Sequence, residues 1–500
     1  MTSPLALKSS IEVPLEKVWE FEAGDKIEPW STPIVAHGMV FFGCRDGHIY
    51  ALETTAGQEK WMFKMGKRLR VPLLSKNGII YATSDDKNFY AVSVQTGEKL
   101  WQFSTGKDIL YWPFVENGNA YLVTKDKNLY ALDAQTGVER WRFSTGKDLL
   151  PPNVDENLIL LGSQDRYVYA LDANSGSKKW GFKSGHKNHS PPAISKDRIL
   201  ISGDDDLYAI DGNDGTLLWS AKKVNHGWHK PVVAGDYVLC TKELTILNLF
   251  DGTVLAKLAR GQTVSNIIVQ AGTIYASMGG IVFAIDLLTK KLKWYAVVEP
   301  QTALHLRFTL GKECVFVTGD SQNGMLSAIN TSRFMKRWEF TGLSQGIFDN
   351  VSGPVITEEM VVVSRGKRVS AFKSSKDPAS KHLLEIGDDI APSPKYIAII
   401  LLAKEGFLGG KGEIFWPNRC CLCGGSAEKK IDLMKKMDGT RLSAPGIPYC
   451  ASCYEKTTKN GIFKKTTENI GVEILRTSPP TFAFRNEKYW AMFMEANRTR

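Results

Sequence analysis

The chain has 500 residues, of which 43% are hydrophobic and 23% charged, with a formal net charge of +10. That content fills a large core and leaves room for a second domain. Nothing in it suggests a membrane-spanning helix, because the apolar run from Tyr396 to Ala403 is too short to cross a bilayer.

Read in chain order, the opening Met1-Thr2-Ser3-Pro4-Leu5-Ala6-Leu7-Lys8 lacks the long apolar stretch and cleavage site of a secretory signal, which predicts a cytoplasmic protein. From there one phrase recurs at a nearly constant period of about forty residues. It reads Tyr130-Ala131-Leu132-Asp133, then Gly137 and Trp141, and again Tyr169-Ala170-Leu171-Asp172, then Gly176 and Trp180. Trp61, Trp101, Trp141, Trp180, Trp219, Trp294 and Trp338 hold one position; Ala256 fills it in one copy, and Trp19 opens the series.

Each copy divides into short β-branched or aromatic runs separated by turn residues, as a four-stranded antiparallel blade requires. In the third copy the expected strands are Phe114-Val115, Ala120 to Val123, Asn128 to Leu132 and Arg140 to Phe143. Runs such as Leu158-Ile159-Leu160-Leu161 are continuous in apolar residues because a blade buries both faces. The Gly four residues before each Trp supplies the positive φ of a turn and fixes the register that points the indole inward.

On these residues the chain resembles the quinoprotein-like, or PQQ-like, repeat propellers, whose Ala-x-Asp-x-x-x-Gly-x-x-x-Trp phrase locks successive blades by wedging the Trp between them. The resemblance covers about residues 12 to 390 and implies an all-β propeller. Lys290 and Phe334 replace the turn Gly, Ala256 replaces a Trp, and Ser327-Ala328-Ile329-Asn330 softens the phrase, so the later blades are expected to pack less regularly. Nine strand triplets are readable, ending with Pro354 to Ile356, Met360 to Val363 and Arg368 to Phe372, whereas the family usually closes at eight blades. The N-terminal strand around Trp19 is expected to complete the last blade and remove its exposed edge.

The propeller is expected over residues 12–390, a linker over 391–411, and a small α+β module over 412–500. Cys44, Cys240 and Cys314 lie singly in the propeller with no disulfide framework. The other five cysteines gather in the module as Cys420-Cys421-Leu422-Cys423-Gly424 and Tyr449-Cys450-Ala451-Ser452-Cys453. Two Cys-x-x-Cys knuckles suit a structural zinc on Cys420, Cys423, Cys450 and Cys453, because two intervening residues let a tight turn aim both sulfurs at one tetrahedral ion. Cys421 is an alternative ligand to Cys420. Val472 to Leu475 and Thr481 to Phe484 read as strands and Lys488 to Ala496 as a short helix. Residues 411–500 hold 16 Lys or Arg against 9 Asp or Glu, which admits nucleic acid as a partner, though the interspersed acids do not favour it.

In the propeller, the residue after the Gly of the loop following the Trp strand is Lys67, Lys107, Lys147 and His186 in four consecutive copies. Equivalent positions in a ring line one rim, so these groups are candidates for an anion or acidic partner. His189, Trp228 and His229 lie in neighbouring loops of that rim, with Trp112 and Trp30 as further aromatic candidates. Asp46, Asp86, Asp126, Asp165 and Asp205 are expected to form turns by bonding their own backbone.

These readings predict a non-catalytic interaction scaffold that meets protein partners through the propeller rim, with the zinc module as a second contact. The alternatives are a small-ligand sensor, nucleic-acid contact through the tail, and an oxidoreductase using pyrroloquinoline quinone. That cofactor is not expected. The enzymes that use it are exported and set an adjacent Cys pair against it within the propeller, whereas the adjacent pair here, Cys420-Cys421, lies outside. No Ser/His/Asp arrangement, phosphate loop or carboxylate cluster argues for another catalytic activity.

Overall fold

The structure is a computed structural model. It describes Ile11 and residues 15–375, with breaks at 29–30, 70, 156, 185–189, 196, 226–228, 260–261, 279–280, 299–305, 313, 320–324, 332–335 and 342–351, and the tail strands 397–400, 429–437, 440–449, 472–477 and 480–484. The chain separates into two compact units, one of residues 1–255, 263–298 and 302–385 and one of residues 256–262, 299–301 and 386–500.

The first unit is built of nine four-stranded antiparallel sheets. Eight are consecutive in sequence and span residues 34–64, 74–104, 114–144, 153–183, 193–221, 232–257, 266–297 and 307–341; they are blades 1 to 8. The ninth combines Val355–Ile356, Met360–Arg365 and Arg368–Ser374 with the N-terminal strand Leu15–Glu22 as its outer strand. The ninth triplet therefore joins the ring, and the propeller has nine blades, one more than the family habit predicts. The physical reason is the clasp: seven residues of Leu15–Glu22 pair with Arg368–Ser374, from Leu15 opposite Ser374 to Glu22 opposite Arg368.

One register runs through the blades. The Ala of the repeated phrase lies opposite the Trp, as in Ala51 and Trp61, Ala91 and Trp101, Ala131 and Trp141, Ala170 and Trp180, Ala209 and Trp219. A β-bulge follows this pair each time, and it recurs at Ala284/Ile285 and Ala328/Ile329, so the softened phrase of blade 8 keeps its pairing. The bulge re-aims the outer strand, and the fully buried Ala leaves room for the indole. Blade 9 repeats the scheme with two chain ends: Ala371 faces Trp19, and the register shifts between Lys17 and Trp19.

Cores lie between blades. Phe41, Ile49 and Ala51 of blade 1 pack on Ile80, Ala82 and Tyr90 of blade 2. Across the closure, Val362, Val369 and Ala371 pack with Trp19 on Val40, Phe42 and Tyr50.

The turn Gly has a role beyond the expected one. Its φ is positive as predicted, 67° at Gly57, 73° at Gly97 and Gly137, 71° at Gly176 and 76° at Gly215. It also seats the indole of the preceding blade. A Cβ on Gly57 would lie 2.5 Å from Trp19, and one on Gly137 would lie 2.6 Å from Trp101. Beside it, the indole N–H crosses the seam to donate to a backbone carbonyl: Trp19 to Thr54 at 2.7 Å, Trp61 to Val94 at 2.9 Å, Trp101 to Ala134 at 3.2 Å, Trp141 to Ala173 at 3.2 Å, Trp180 to Gly212 at 3.1 Å and Trp219 to Leu249 at 2.9 Å.

Blade 6 has Ala256 in place of this Trp, and the following turn has Lys290 in place of Gly. The two departures meet at one seam. With no indole to seat, a Cβ is tolerated at position 290, although φ stays at 61°. The Lys290 ammonium donates to the Leu287 carbonyl, the equivalent of the indole's acceptor in other blades. It also lies 4.4 Å from the Tyr237 ring centre of blade 6, a cation–π contact across the seam. Burial lowers the Lys290 pKa against the pull of Asp286.

In the second unit, Ile397–Ile400, Pro480–Phe484 and Val472–Thr477 form a three-stranded sheet, and Lys429–Met437 pairs with Thr440–Tyr449 in a hairpin. The two strands expected at 472–475 and 481–484 are present. The expected helix at 488–496 lies outside the described residues.

The compensation is testable by a double-mutant cycle in denaturant. Ala256→Trp alone drives an indole against the Lys290 side chain and destabilises, whereas Ala256→Trp with Lys290→Gly rebuilds the joint. The two changes together are expected to be more stable than their summed effects by about 1–3 kcal/mol. Additive behaviour would refute the compensation.

Candidate functional site

The loops from each outer strand to the next blade, and the hairpins between second and third strands, share one face. A repeated backbone bond ties them: Arg45 N donates to Lys26 O at 3.0 Å, Asp85 N to Arg68 O at 3.0 Å, Lys125 N to Asp108 O at 2.9 Å and Gln164 N to Asp148 O at 2.9 Å. Side chains reinforce the seams, with Arg45 Nε 2.8 Å from Glu28, Arg68 Nε 2.7 Å from Asp85, Lys125 Nζ 3.5 Å from Asp108 and Lys242 Nζ 2.8 Å from Asp205.

Lys67, Lys107 and Lys147 lie in the loops of this face. All three are exposed, and none forms an ion pair among the described residues. Their backbones are nevertheless fixed: Ser84 Oγ donates to Lys67 O at 2.9 Å, Thr105 Oγ1 to Lys107 O at 2.6 Å and Thr145 Oγ1 to Lys147 O at 2.6 Å. His186, His189, Trp228 and Trp30 lie outside the described residues. His229 is partly buried, and its carbonyl accepts the Asn225 side-chain amide at 3.0 Å. Trp112 is 49% exposed and stands two residues before an inner strand, where blades 2 and 4 have Pro72 and Pro151.

The hairpin aspartates do what was expected and one thing more. Asp46, Asp86 and Asp165 accept the backbone N–H two residues on, each at 2.9 Å. They also accept the hydroxyl of the Tyr that opens the phrase: Tyr50 at 2.6 Å, Tyr90 at 2.5 Å and Tyr169 at 2.7 Å, with Tyr130 on Asp126 at 3.1 Å. Burial opposes ionisation of Asp46 and Asp86, but the Tyr hydroxyls and backbone N–H groups outweigh it and hold both carboxyls below their ordinary range. Burial and the Asp46 charge push Tyr50 upward. Asp205 departs from the expectation. In blade 5, Gly203 pairs with Asp206, so the turn is one residue shorter, and Asp205 bonds Lys242 of blade 6 instead.

Elsewhere the repeat breaks toward apolar residues. Two residues before the turn Gly, blades 1 to 5 have Thr55, Gln95, Gln135, Asn174 and Asn213, whereas blades 6 and 7 have Phe250 and Leu288. The outer strands of blades 1, 3 and 4 begin Glu59-Lys60, Glu139-Arg140 and Lys178-Lys179, but those of blades 5 and 6 begin Leu217-Leu218 and Val254-Leu255. All six apolar side chains are exposed. Sequence reasoning missed these side chains, although aligning the copies displays them.

Among the described residues, no group of three or more His, Cys, Asp or Glu is placed to hold a metal, and no helix is long and apolar enough to cross a membrane. Cys420, Cys421, Cys423, Cys450 and Cys453 lie outside the described residues. The neighbouring hairpin is described, and its two ends, Lys429 and Tyr449, are opposite each other. Cys44, Cys240 and Cys314 are buried and form no disulfide among the described residues, and burial pushes Cys44 up to about 11.

A ring of four-stranded blades with a Trp wedge in the repeated register defines a β-propeller of PQQ-like repeats. The family model described as "Outer membrane protein assembly factor BamB" matches residues 16–111, 45–165, 108–194 and 164–374, and the chain belongs to that family. No curated protein sequence matches it. Among solved structures, BamB from Moraxella catarrhalis is 12% identical with a TM-score of 0.48, covering 73% of this chain and 99% of its own. The computationally designed Ika8 protein is 13% identical at 0.49, covering 72% and 99%. Quinohemoprotein alcohol dehydrogenase ADHIIG from Pseudomonas putida HK5 is 15% identical at 0.49, covering 76% and 78%.

The aspartate anchors set an acid response. Because the folded pKa values of Asp46 and Asp86 lie below the unfolded value of 3.8, their contribution is present above that value and is lost as pH falls through the folded values. Asp46→Asn with Asp86→Asn is expected to lower stability at neutral pH and to flatten the loss below pH 4. An unchanged acid-unfolding profile would remove these two anchors from the account.

Proposed function

We propose that the protein is a non-catalytic interaction scaffold whose propeller presents its loop face to protein partners. The carrying observation is the combination at Lys67, Lys107 and Lys147: backbones pinned by hydroxyl bonds and ammonium groups left exposed. A surface whose frame is already ordered loses little entropy on docking. The exposed apolar side chains on blades 5 to 7 support a protein as the class of partner, since apolar surface is what protein interfaces cover. Buried, separate thiols are in keeping with the reducing cytoplasm.

The second contact in this proposal is the tail, held by one structural zinc on Cys423, Cys450, Cys453 and either Cys420 or Cys421. The pairing of Lys429 with Tyr449 at the ends of the 429–449 hairpin supports the arrangement, as does the softness match of four thiolates to zinc.

Charge reversal at Lys67, Lys107 and Lys147 to Glu is expected to abolish capture of the partner from host extract while moving stability by no more than about 0.5 kcal/mol. Equal capture by the reversed protein would remove the rim from the proposal. Elemental analysis of the full chain is expected to give one zinc per molecule. Cys450→Ser is expected to release it and abolish a separate melting transition of the tail, leaving that of the propeller in place. Loss of both transitions together would contradict an independently folded zinc module.

A further inference from the structure

The hairpins between second and third strands of blades 2, 3 and 4 carry a second row of cations, Lys87, Lys127 and Arg166, on the same face as Lys67, Lys107 and Lys147. All three are exposed and form no ion pair among the described residues. Each sits at positive φ, 69°, 69° and 75°, where a side chain is strained and glycine is relaxed. Blade 1 has Gly47 at the equivalent position, with φ of 84°. The backbone work is the same with or without a side chain. The carbonyls of Gly47, Lys87, Lys127 and Arg166 accept Met65, Thr105, Thr145 and Ser184 N–H at 2.8, 3.0, 3.1 and 2.9 Å. The side chains of Lys87, Lys127 and Arg166 therefore add nothing the turn needs; what they add is positive charge at the surface.

The neighbouring carboxylates do not cancel that charge at the tips. Asp86, Asp126 and Asp165 are turned into the Tyr hydroxyls, and Asp85 and Asp108 are engaged by Arg68 and Lys125. Asp148 remains exposed. The six unpaired cations are distributed over blades 1 to 4, one to a turn or loop, and do not converge on a point as a small-anion site requires. Exposed Trp112 stands in the loop that follows Lys107, two residues before the inner strand of blade 3.

Building on the scaffold reading, we infer that this face binds an extended acidic segment of a partner protein, whose carboxylates meet the two rows of cations and whose apolar residues cover Trp112. A phosphate chain is the poorer complement, because its uniform charge would pass over Asp148, whereas a peptide can place an uncharged residue there.

The test is fluorescence anisotropy with a labelled peptide of repeated Glu-Glu-Leu-Gly units, against a Lys-Lys-Leu-Gly peptide and an oligothymidylate of equal charge. The acidic peptide is expected to bind most tightly and to weaken with salt. Lys87→Gly, Lys127→Gly and Arg166→Gly together are expected to weaken it at least about tenfold while the melting temperature stays equal or rises, because strain is relieved. Trp112→Ala is expected to weaken this peptide but not a polyglutamate of equal charge. Tighter binding of the oligothymidylate, equal binding of both peptides, or full affinity in the glycine variant would overturn the inference. Should the peptide fail to bind while the Lys67, Lys107 and Lys147 reversal still loses a captured partner, the scaffold reading survives and the acidic segment does not.

Discussion

The joint between an indole and a glycine one blade later is the constraint on which the propeller depends. Trp19, Trp61, Trp101, Trp141, Trp180 and Trp219 each bury the ring against a Gly whose Cβ would collide with it, and each donates its one N–H to a carbonyl of the same turn, as Trp101 does to Ala134. Dispersion, desolvation and a hydrogen bond worth about 1 kcal/mol net thus act at a single seam, and the seam repeats. The same joint explains the closure. Trp19 bonds Thr54 at 2.7 Å from the first strand of the chain, and that strand also completes the last blade. The N-terminal segment therefore fastens blade 9 to blade 1 twice, once along a ladder and once through the indole.

The period and the blade as a unit were legible because each is written within one copy of about forty residues, and the N-terminal clasp because Trp19 stands as an outer-strand Trp with no strands of its own copy before it. What spans two copies was not. The Gly reads as a turn former when seen inside its own blade; its partner Trp sits a blade earlier, so its steric role is invisible until the copies are stacked. Ala256 and Lys290 look like two unrelated lapses for the same reason, yet Lys290 restores the hydrogen bond to Leu287 that a Trp at 256 would have made. The Asp to Tyr bond was readable in principle. Asp46 and Tyr50, Asp86 and Tyr90, Asp126 and Tyr130, and Asp165 and Tyr169 are all four residues apart, while Asp205 and Tyr208 are three apart and make no such bond. Blade number stayed open between eight and nine, because nine readable triplets met a family habit of eight, and the pairing of Leu15–Glu22 with Arg368–Ser374 decides for nine.

For the candidate site, the rim lysines were legible and their surroundings were not. Sequence places Lys67, Lys107 and Lys147 one per copy, but it does not show that hydroxyls of Ser84, Thr105 and Thr145 pin the loops that carry them. Nor does it show that Lys87, Lys127 and Arg166 sit at positive φ, since glycine at one copy and a cation at three others reads as free variation.

A ring of repeats makes such variation informative in a way an irregular fold does not. Equivalent positions share one backbone, so a residue that breaks the pattern without changing the hydrogen bonds around it cannot be explained by the demands of the blade. Gly47 and Lys87 accept the same kind of bond at 2.8 and 3.0 Å, and Asn213 and Phe250 occupy the same turn. Lys290 is the opposite case, where the departure is fully accounted for by a missing neighbour. Phe250 belongs partly with Lys290, since the Arg198 guanidinium lies 4.9 Å from its ring centre. Separating the two kinds leaves the cations over blades 1 to 4 and the remaining exposed apolar side chains of blades 5 to 7; charge at a strained turn and apolar area in water both cost stability, and under the scaffold proposal a bound partner offsets that cost.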